Sequence, residues 1–404
     1  MVCHSTQHTA WDDSLHRKMM QRVDQPGAVQ ADFNAASAQL KFDASDAVWV
    51  VGNRWEQQFM GHEGGKETLL PGAWRMGLKA WALQGWDGWQ VPEPLRRCHG
   101  CHTVGLDVKT GTFVEPGIGC ESCHGPGGWH GESEGRYPMH AGVDSETCGQ
   151  CHSRGRSADG DFFYPVAYVP GSPLDSKFTP IKPDFIQNSA QWWGNGRERD
   201  RHQQYIAWQR GGHVNALRRL TDGYDGRYGP VEPECLGCHA GEAAIRGPAH
   251  GLTLADVKEG VTCSVCHNVH GDLPQLRMAC TDCHDQGAFH HQRLTLAEHI
   301  PCPPSAKVEC ADCHMPVTIQ IAGEFRLHSH APGITTPMEG AAFGGPSSCV
   351  NAGCHAQDAP EVLQARFDAF YGPTRTAIHA SKTPISRPVS TDRRRQSRTE
   401  EATL

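Results

Sequence analysis

Hydrophobic patterning in this chain is short and local, and no apolar run reaches membrane-spanning length. Trp11, Leu15 and Met19 recur at intervals of four, which predicts a helix over residues 7–22 with His16 close to its apolar face. A second helix is expected over 202–220, with His213, Leu217 and Leu220 in register. Gly211 and Gly212 weaken that helix but let a flat group approach its backbone. A third is expected over 360–371: Pro360 suits a first turn, Leu363, Phe367 and Phe370 line one side, and Gly372 suits the stop. Ala47-Val-Trp-Val-Val51 and residues 55–60 predict a small β-hairpin. Trp74, Trp81, Trp86 and Trp89 then suggest an aromatic packing layer. The expected fold class is mainly α, with much irregular structure.

These elements are too few to build an ordinary core. In 404 residues, Leu, Ile, Val and Phe make up roughly 17%, below a typical globular domain. Disorder usually also requires a high net charge, and −8 is modest for this length. Something other than aliphatic side chains must therefore fill the interior. The 18 cysteines and 25 histidines say what it is.

Seven times the chain repeats Cys-x-x-Cys-His. The motifs are Cys98/Cys101/His102, Cys120/Cys123/His124, Cys148/Cys151/His152, Cys235/Cys238/His239, Cys263/Cys266/His267, Cys280/Cys283/His284 and Cys310/Cys313/His314. An eighth, Cys349/Cys354/His355, has a longer gap. This is the attachment signal for c-type haem: two thiols bond the porphyrin's vinyl groups, and the adjacent imidazole ligates the iron. Structural zinc also uses paired cysteines, but it does not require a histidine after every pair. Only Cys3 and Cys302 lie outside these motifs, too few for a disulfide framework. Eight apolar porphyrins supply the missing core. Their propionates add negative charge, which favours basic redox partners and disfavours nucleic acid.

Cys3-His4 has the form of the end of a ninth motif, which a cysteine just before Met1 would complete. The residues after it repeat later: Gln7, Trp11 and His16 have the same spacing as Gln204, Trp208 and His213. No export signal opens the chain, yet haem c is attached outside the cytoplasm. The expectation is that Met1 is an internal methionine, with a cysteine codon and a signal peptide upstream. Residues 1–152 form a first haem group and 235–372 a second, five-motif group. Residues 153–234 connect them through a ligand-bearing helix, and 373–404 form a basic, solvated tail.

Each iron has a sixth position, and its occupant decides between electron transfer and chemistry. Outside the motifs and His4 lie His8, His16, His62, His99, His130, His140, His202, His213, His250, His270, His290, His291, His299, His328, His330 and His379. The preferred second ligands are His16, His130, His213, His250, His270, and His328 or His330. Met19, Met20 and Met315 are the alternatives, more naturally packing residues.

Several stretches resemble the multihaem cytochromes related to cytochrome c-554, whose wider relatives include hydroxylamine oxidoreductase and octahaem tetrathionate reductase. The matching text is Gln7 to His16, Val50-Val-Gly-Asn53, Gly117-Ile-Gly-Cys-Glu-Ser-Cys-His-Gly-Pro126 with His130, Gly260-Val-Thr-Cys-Ser-Val-Cys-His267 with His270-Gly271, and Cys313-His-Met-Pro316. The resemblance implies an irregular helical fold around close-packed parallel and perpendicular haem pairs. It implies His16, His130 and His213 as distal ligands, and periplasmic or extracellular electron transfer. The implied partners are other cytochromes or a quinone-linked membrane complex. No Cys-x-x-Cys-Lys, the mark of the catalytic haem in pentahaem nitrite reductases, occurs. The expected function is electron transfer through mostly bis-histidine haems. The alternative is a multihaem oxidoreductase acting on a small nitrogen or sulfur compound at one five-coordinate iron. Exported protein should be coloured, and pyridine haemochrome titration with intact mass should count eight haems on this chain. A colourless protein carrying zinc would refute the motif reading.

Overall fold

The computed structural model describes residues 3–35, 40–82, 93–140, 142, 144–183, 190–222, 231–247, 250–271, 276–284, 301–321 and 325–380. Trp86, Trp89, His290, His291, His299 and the tail from residue 381 lie outside this set. The regular part is a five-stranded antiparallel sheet in sequential order: β1 (Met20–Arg22), β2 (Ala47–Val51), β3 (Glu56–Glu63), β4 (Lys66–Arg75) and β5 (Ala80–Ala82). The hairpin expected over 47–60 is thus the middle of a larger sheet. Its β-branched and aromatic run pairs on both sides, Val50 with Gln21 and with Phe59.

One face of the sheet carries an aromatic cluster. Phe33 lies 5.3 Å from Phe59 and 4.9 Å from Trp81, and Phe42 lies 5.9 Å from Phe59, between ring centres. The expected tryptophan layer is present in Trp74 and Trp81, 5.6 Å apart. The fully buried Gln57 holds the preceding loop against the sheet. Its amide donates to the Ala28 carbonyl at 2.7 Å and accepts from the Gln30 and Ala31 backbone N–H groups. Met20, a possible ligand by sequence, is fully buried in β1 as packing.

The helix expected over 7–22 is much shorter. It spans Ser5–Asp12, a 3₁₀ turn follows at Arg17–Met19, and Met20–Arg22 is drawn into β1. Sheet pairing overrides local periodicity there. The helix expected over 202–220 is interrupted: Gln204–Gln209, a 3₁₀ turn at His213–Asn215, then Ala216–Asp222. The break falls at Gly211 and Gly212, where helix-interior glycine is costly. The last helix runs Pro360–Ala380, with Gly372 (φ 68°) as a non-helical joint rather than a stop. Its buried stripe is Leu363, Phe367 and Tyr371, while Phe370 points outward.

Beyond the sheet, structure consists of short helices and two-residue to five-residue ladders: β6 (Thr103–Val104) with β7 (Glu115–Pro116), β8 (Gly155–Ser157) with β9 (Phe178–Pro180), and β10 (Val317–Ile321) with β11 (Phe325–His328). Apolar side chains gather in small separate clusters. One is Leu174, Phe178, Trp192, Tyr205 and Ile206, and another is Leu217, Leu236, Ala243 and Val257. No helix among the described residues is long and apolar enough to cross a membrane. Phe59→Ala should empty the aromatic cluster and cost about 3–5 kcal/mol, measured as a lowered denaturant midpoint.

Candidate cofactor-binding sites

A one-turn helix brings residues three and four apart onto one face. The seven short motifs use that geometry. Helical turns cover His99–His102, Glu121–His124, Glu146–Gly149, Pro233–His239, Cys263–Cys266, Cys280–Cys283 and Cys310–His314. In four of them the turn holds both cysteines, in the Cys98 and Cys120 motifs the first cysteine caps the turn, and in the Cys148 motif the turn ends at Gly149, before Cys151 and His152. The long-gap motif absorbs its extra residues in a 3₁₀ turn, Asn351–Gly353, with Gly353 at φ 82°. Small residues inside the motifs let neighbours close in. A Cβ on Gly100 would lie 2.0 Å from the Tyr164 ring, and one on Gly149 would lie 2.7 Å from Tyr205.

The Gln–Trp–His repeat is also a structural repeat. Trp11 Nε1 donates to the Ile118 carbonyl at 2.8 Å, and the Ile118 N–H donates to the His16 carbonyl at 3.0 Å. In the second copy, Trp208 Nε1 donates to the Val261 carbonyl at 2.9 Å, and the Val261 N–H donates to the His213 carbonyl at 3.0 Å. Each clamp grips the residues just before a motif, at Cys120 and at Cys263. Gly117 (φ 82°) and Gly260 make the approach possible: a Cβ on Gly117 would lie 2.4 Å from the Arg17 carbonyl oxygen, and one on Gly260 2.7 Å from that of His213.

The histidines are paired across space. Six pairs have ring centres 6.0–6.4 Å apart: His4–His130, His16–His152, His124–His270, His152–His202, His213–His284 and His267–His330. Each joins a motif histidine to one outside the motifs. A metal–nitrogen bond of about 2 Å on each side, plus roughly 1 Å from each ring centre to its nitrogen, sums to about 6 Å. Two imidazoles sharing one iron therefore fit this spacing, and because His152 belongs to two of the pairs, at most five of the six can hold an iron. The clamped histidines take equivalent places, since His16 faces the third motif after it, and so does His213.

The surroundings suit ligation. Burial keeps His102, His152 and His267 neutral, with pKa values near 4, and lowers those of His16, His270 and His284 as well. Backbone carbonyls fix the tautomer of several rings. Nδ1–H donates to the His140 carbonyl from His124 (2.7 Å), to Tyr137 from His130 (2.7 Å), to Ala216 from His239 (3.1 Å) and to Met315 from His328 (2.5 Å). His355 Nδ1 bonds the Asp358 carboxylate at 2.9 Å. In all five, Nε2 is left as the ligand atom.

The motifs also touch one another. The Cys101 thiol contacts that of Cys151, Cys148 that of Cys263, Cys238 that of Cys283, and Cys280 that of Cys310. Cys266 senses the charge of Cys280, and Cys313 that of Cys349 and Cys354. Cys123 senses that of Cys120 beside it, and Cys151 that of Cys123. The eight motifs thus form one connected series.

Of the preferred second ligands, His16, His130, His213, His270 and His330 face motif histidines. His250 is exposed and has no such partner among the described residues, and His328 is half-buried with its Nε2 uncommitted. His102, His239 and His355 likewise face no imidazole within this range among the described residues. His140 and His99 are turned elsewhere, to Asp144 and to Glu67 (2.5 Å). His202 was not preferred by sequence, yet it faces His152. Its backbone lies at φ 70°, which no local pattern announces. Cys302 lies beside the long-gap motif, within electrostatic reach of Cys349 and Cys354, and Cys3 is exposed.

The motifs, their shared helical geometry and the paired imidazoles define a multihaem c-type cytochrome, an electron-transfer protein. The chain belongs to the family of the Outer Cell Wall Cytochrome OcwA. It is 30% identical to the crystal structure of that protein, with a TM-score of 0.78, over 91% of this chain and 85% of that one. Residues 84–125 and 200–268 match the family described as cytochrome c554 and c-prime. The undecahaem cytochrome from the S-layer of Carboxydothermus ferrireducens shares the fold, with a TM-score of 0.54 at 20% identity over 93% of this chain and 60% of that one. The dissimilatory sulfite reductase MccA of Wolinella succinogenes is 23% identical over 261 residues, 61% of this chain and 31% of that enzyme. The chain therefore spans about a third of the length of that curated relative. Trp208→Phe, which removes the clamp's hydrogen bond and part of the indole's packing on Tyr205, should lower stability by at least about 1 kcal/mol, read from the thermal midpoint.

Proposed function

We propose that the chain holds eight haems on its complete motifs, that Cys3 and His4 would hold a ninth once a preceding cysteine completes their motif, and that electrons move along these haems between partners outside the cytoplasmic membrane. The observation that carries this reading is the set of imidazole pairs at a spacing that suits one shared iron. Bound haem supplies a one-electron iron couple. The chain's residues do the rest. Motif thiols tether each porphyrin. His130, His270, His16, His213 and His330 close the sixth positions opposite His4, His124, His152, His284 and His267. The paired imidazoles, those of His124 and His130 oriented by backbone carbonyls, would hold bound irons by two nitrogens, which would keep reorganisation on electron transfer small. Contacts between the motif helices keep successive cofactors close, and electron hopping falls steeply with distance.

Two related halves, 1–152 and 235–372, are each gripped by a clamped histidine segment, that of His16 within the first and that of His213 in the stretch 153–234 that joins them. The structural relatives are an outer cell wall cytochrome and an S-layer cytochrome, which supports a location outside the cytoplasmic membrane. Redox proteins, other cytochromes among them, are the natural partners. The sulfite reductase match covers too little of that enzyme to favour a catalytic reading.

His130→Ala and His213→Ala should each keep the full haem content. Each should also make one iron high-spin and able to bind carbon monoxide when reduced, as seen in optical and paramagnetic resonance spectra. His140→Ala, whose ring is committed to Asp144, should change neither. Variants of His130 and His213 that stay fully low-spin would overturn the ligand assignment.

A further inference from the structure

The segment Ser329–Gly333 carries His330 but has no regular structure of its own, so other residues must hold it. Arg197 and Glu198, from the stretch between the two haem groups, do so. Arg197 donates through Nη1 to Ser329 Oγ at 2.9 Å and to the Ala331 carbonyl at 2.8 Å, and through Nη2 to the Gly333 carbonyl at 2.6 Å. Glu198 is fully buried. It accepts from Ser329 Oγ at 2.7 Å and from the His330 backbone N–H at 2.5 Å. The Gly333 N–H in turn donates to the carbonyl of the motif histidine His314 at 2.7 Å.

The side chain of His330 faces His267, with ring centres 6.1 Å apart. Its Nδ1 is buried with no hydrogen-bond partner. The Glu198 Oε1 lies 3.7 Å from that nitrogen. An imidazole that binds a metal through Nε2 carries its proton on Nδ1, and that proton needs an acceptor. Glu198 is the acceptor in position, and a small rotation of the ring closes the gap. The rings of His124, His130, His239 and His328 lean on neutral carbonyls instead. The other carboxylate on a motif ring, Asp358 at His355, is 38% exposed and therefore screened by water. Arg197 and Arg210 are the cations near Glu198.

We propose that Glu198 is a positioning residue that fixes His330 as an axial ligand and sets the iron shared by His267 and His330 to a lower reduction potential than its carbonyl-supported neighbours. The proposal rests on the reading that these two histidines ligate one iron. A buried carboxylate draws the Nδ1 proton toward itself. The ring then becomes a stronger electron donor and stabilises the oxidised metal. In a low-dielectric interior that charge is screened less than one at the surface, although Arg197 and Arg210 offset part of it.

The test is optical redox titration of the mature, haem-loaded protein at neutral pH. Glu198→Gln keeps the shape and the backbone contact but removes the charge. One haem component should move to a more positive potential while the others and the haem content stay put. Glu198→Asp should move the same component less, and Asp358→Asn should produce a smaller shift than Glu198→Gln. An unmoved titration in Glu198→Gln overturns the proposal. If that variant fails to mature, Glu198→Asp decides it by the same criterion. His330→Ala separates the two levels: if it opens one iron to carbon monoxide while Glu198→Gln shifts nothing, only the role of Glu198 falls. If it opens none, the ligand reading falls.

Discussion

The structure depends on one constraint: an imidazole stands opposite a motif histidine at the separation a single iron imposes, as it does for His4, His124, His152, His267 and His284. The chain has little aliphatic material with which to hold such spacings. It does so with local devices. Short helical turns hold or adjoin the motif thiols, backbone carbonyls orient the rings, and indole N–H groups clamp histidine segments to the peptides before the motifs. His4 and His130, or His124 and His270, are far apart in sequence or sit in different haem groups, yet they meet at 6.1 Å. Under the proposed ligation, the His124–His270 pair would tie the first haem group to the second through one cofactor.

This arrangement explains why the side-chain clusters are small and separate. Five strands and one aromatic cluster give the N-terminal part a conventional core, in which Gln57 and Phe59 are fully buried. Elsewhere the motif turns are the places where bound porphyrin would take over the role of apolar side chains. Glycine matters there for reasons of distance: Gly117 and Gly260 let the clamp close, and Gly100 lets Tyr164 lie on a motif turn. A polar hub of Arg197, Glu198 and Ser329 does for the His330 segment what a helix would do elsewhere.

Much of the candidate site was legible in the sequence because haem attachment is written contiguously. Thiols and proximal histidine lie within one turn, so spacing alone identifies them. His16 and His213 were legible through their shared spacing from glutamine and tryptophan, which the paired clamps now account for. His130 and His270 were legible from their closeness to a preceding motif. The remainder depends on long-range geometry. Nothing local separates His140, turned to Asp144, from His130, turned to the His4 ring. His202 owes its place to an uncommon backbone conformation. The five-stranded sheet was underestimated because Met20–Arg22 has helical periodicity on one side and a strand partner only by tertiary contact. Helix lengths were overestimated where sheet pairing drew Met20–Arg22 into a strand and where Gly211 and Gly212 broke the second helix.

Anomalous X-ray diffraction from crystals of the mature protein at the iron edge tests the central claim most directly. The account predicts iron peaks midway between His4 and His130, His124 and His270, His213 and His284, and His267 and His330, each beside a porphyrin joined to its cysteines. Zinc peaks at the cysteine pairs, or no metal between those imidazoles, would contradict it.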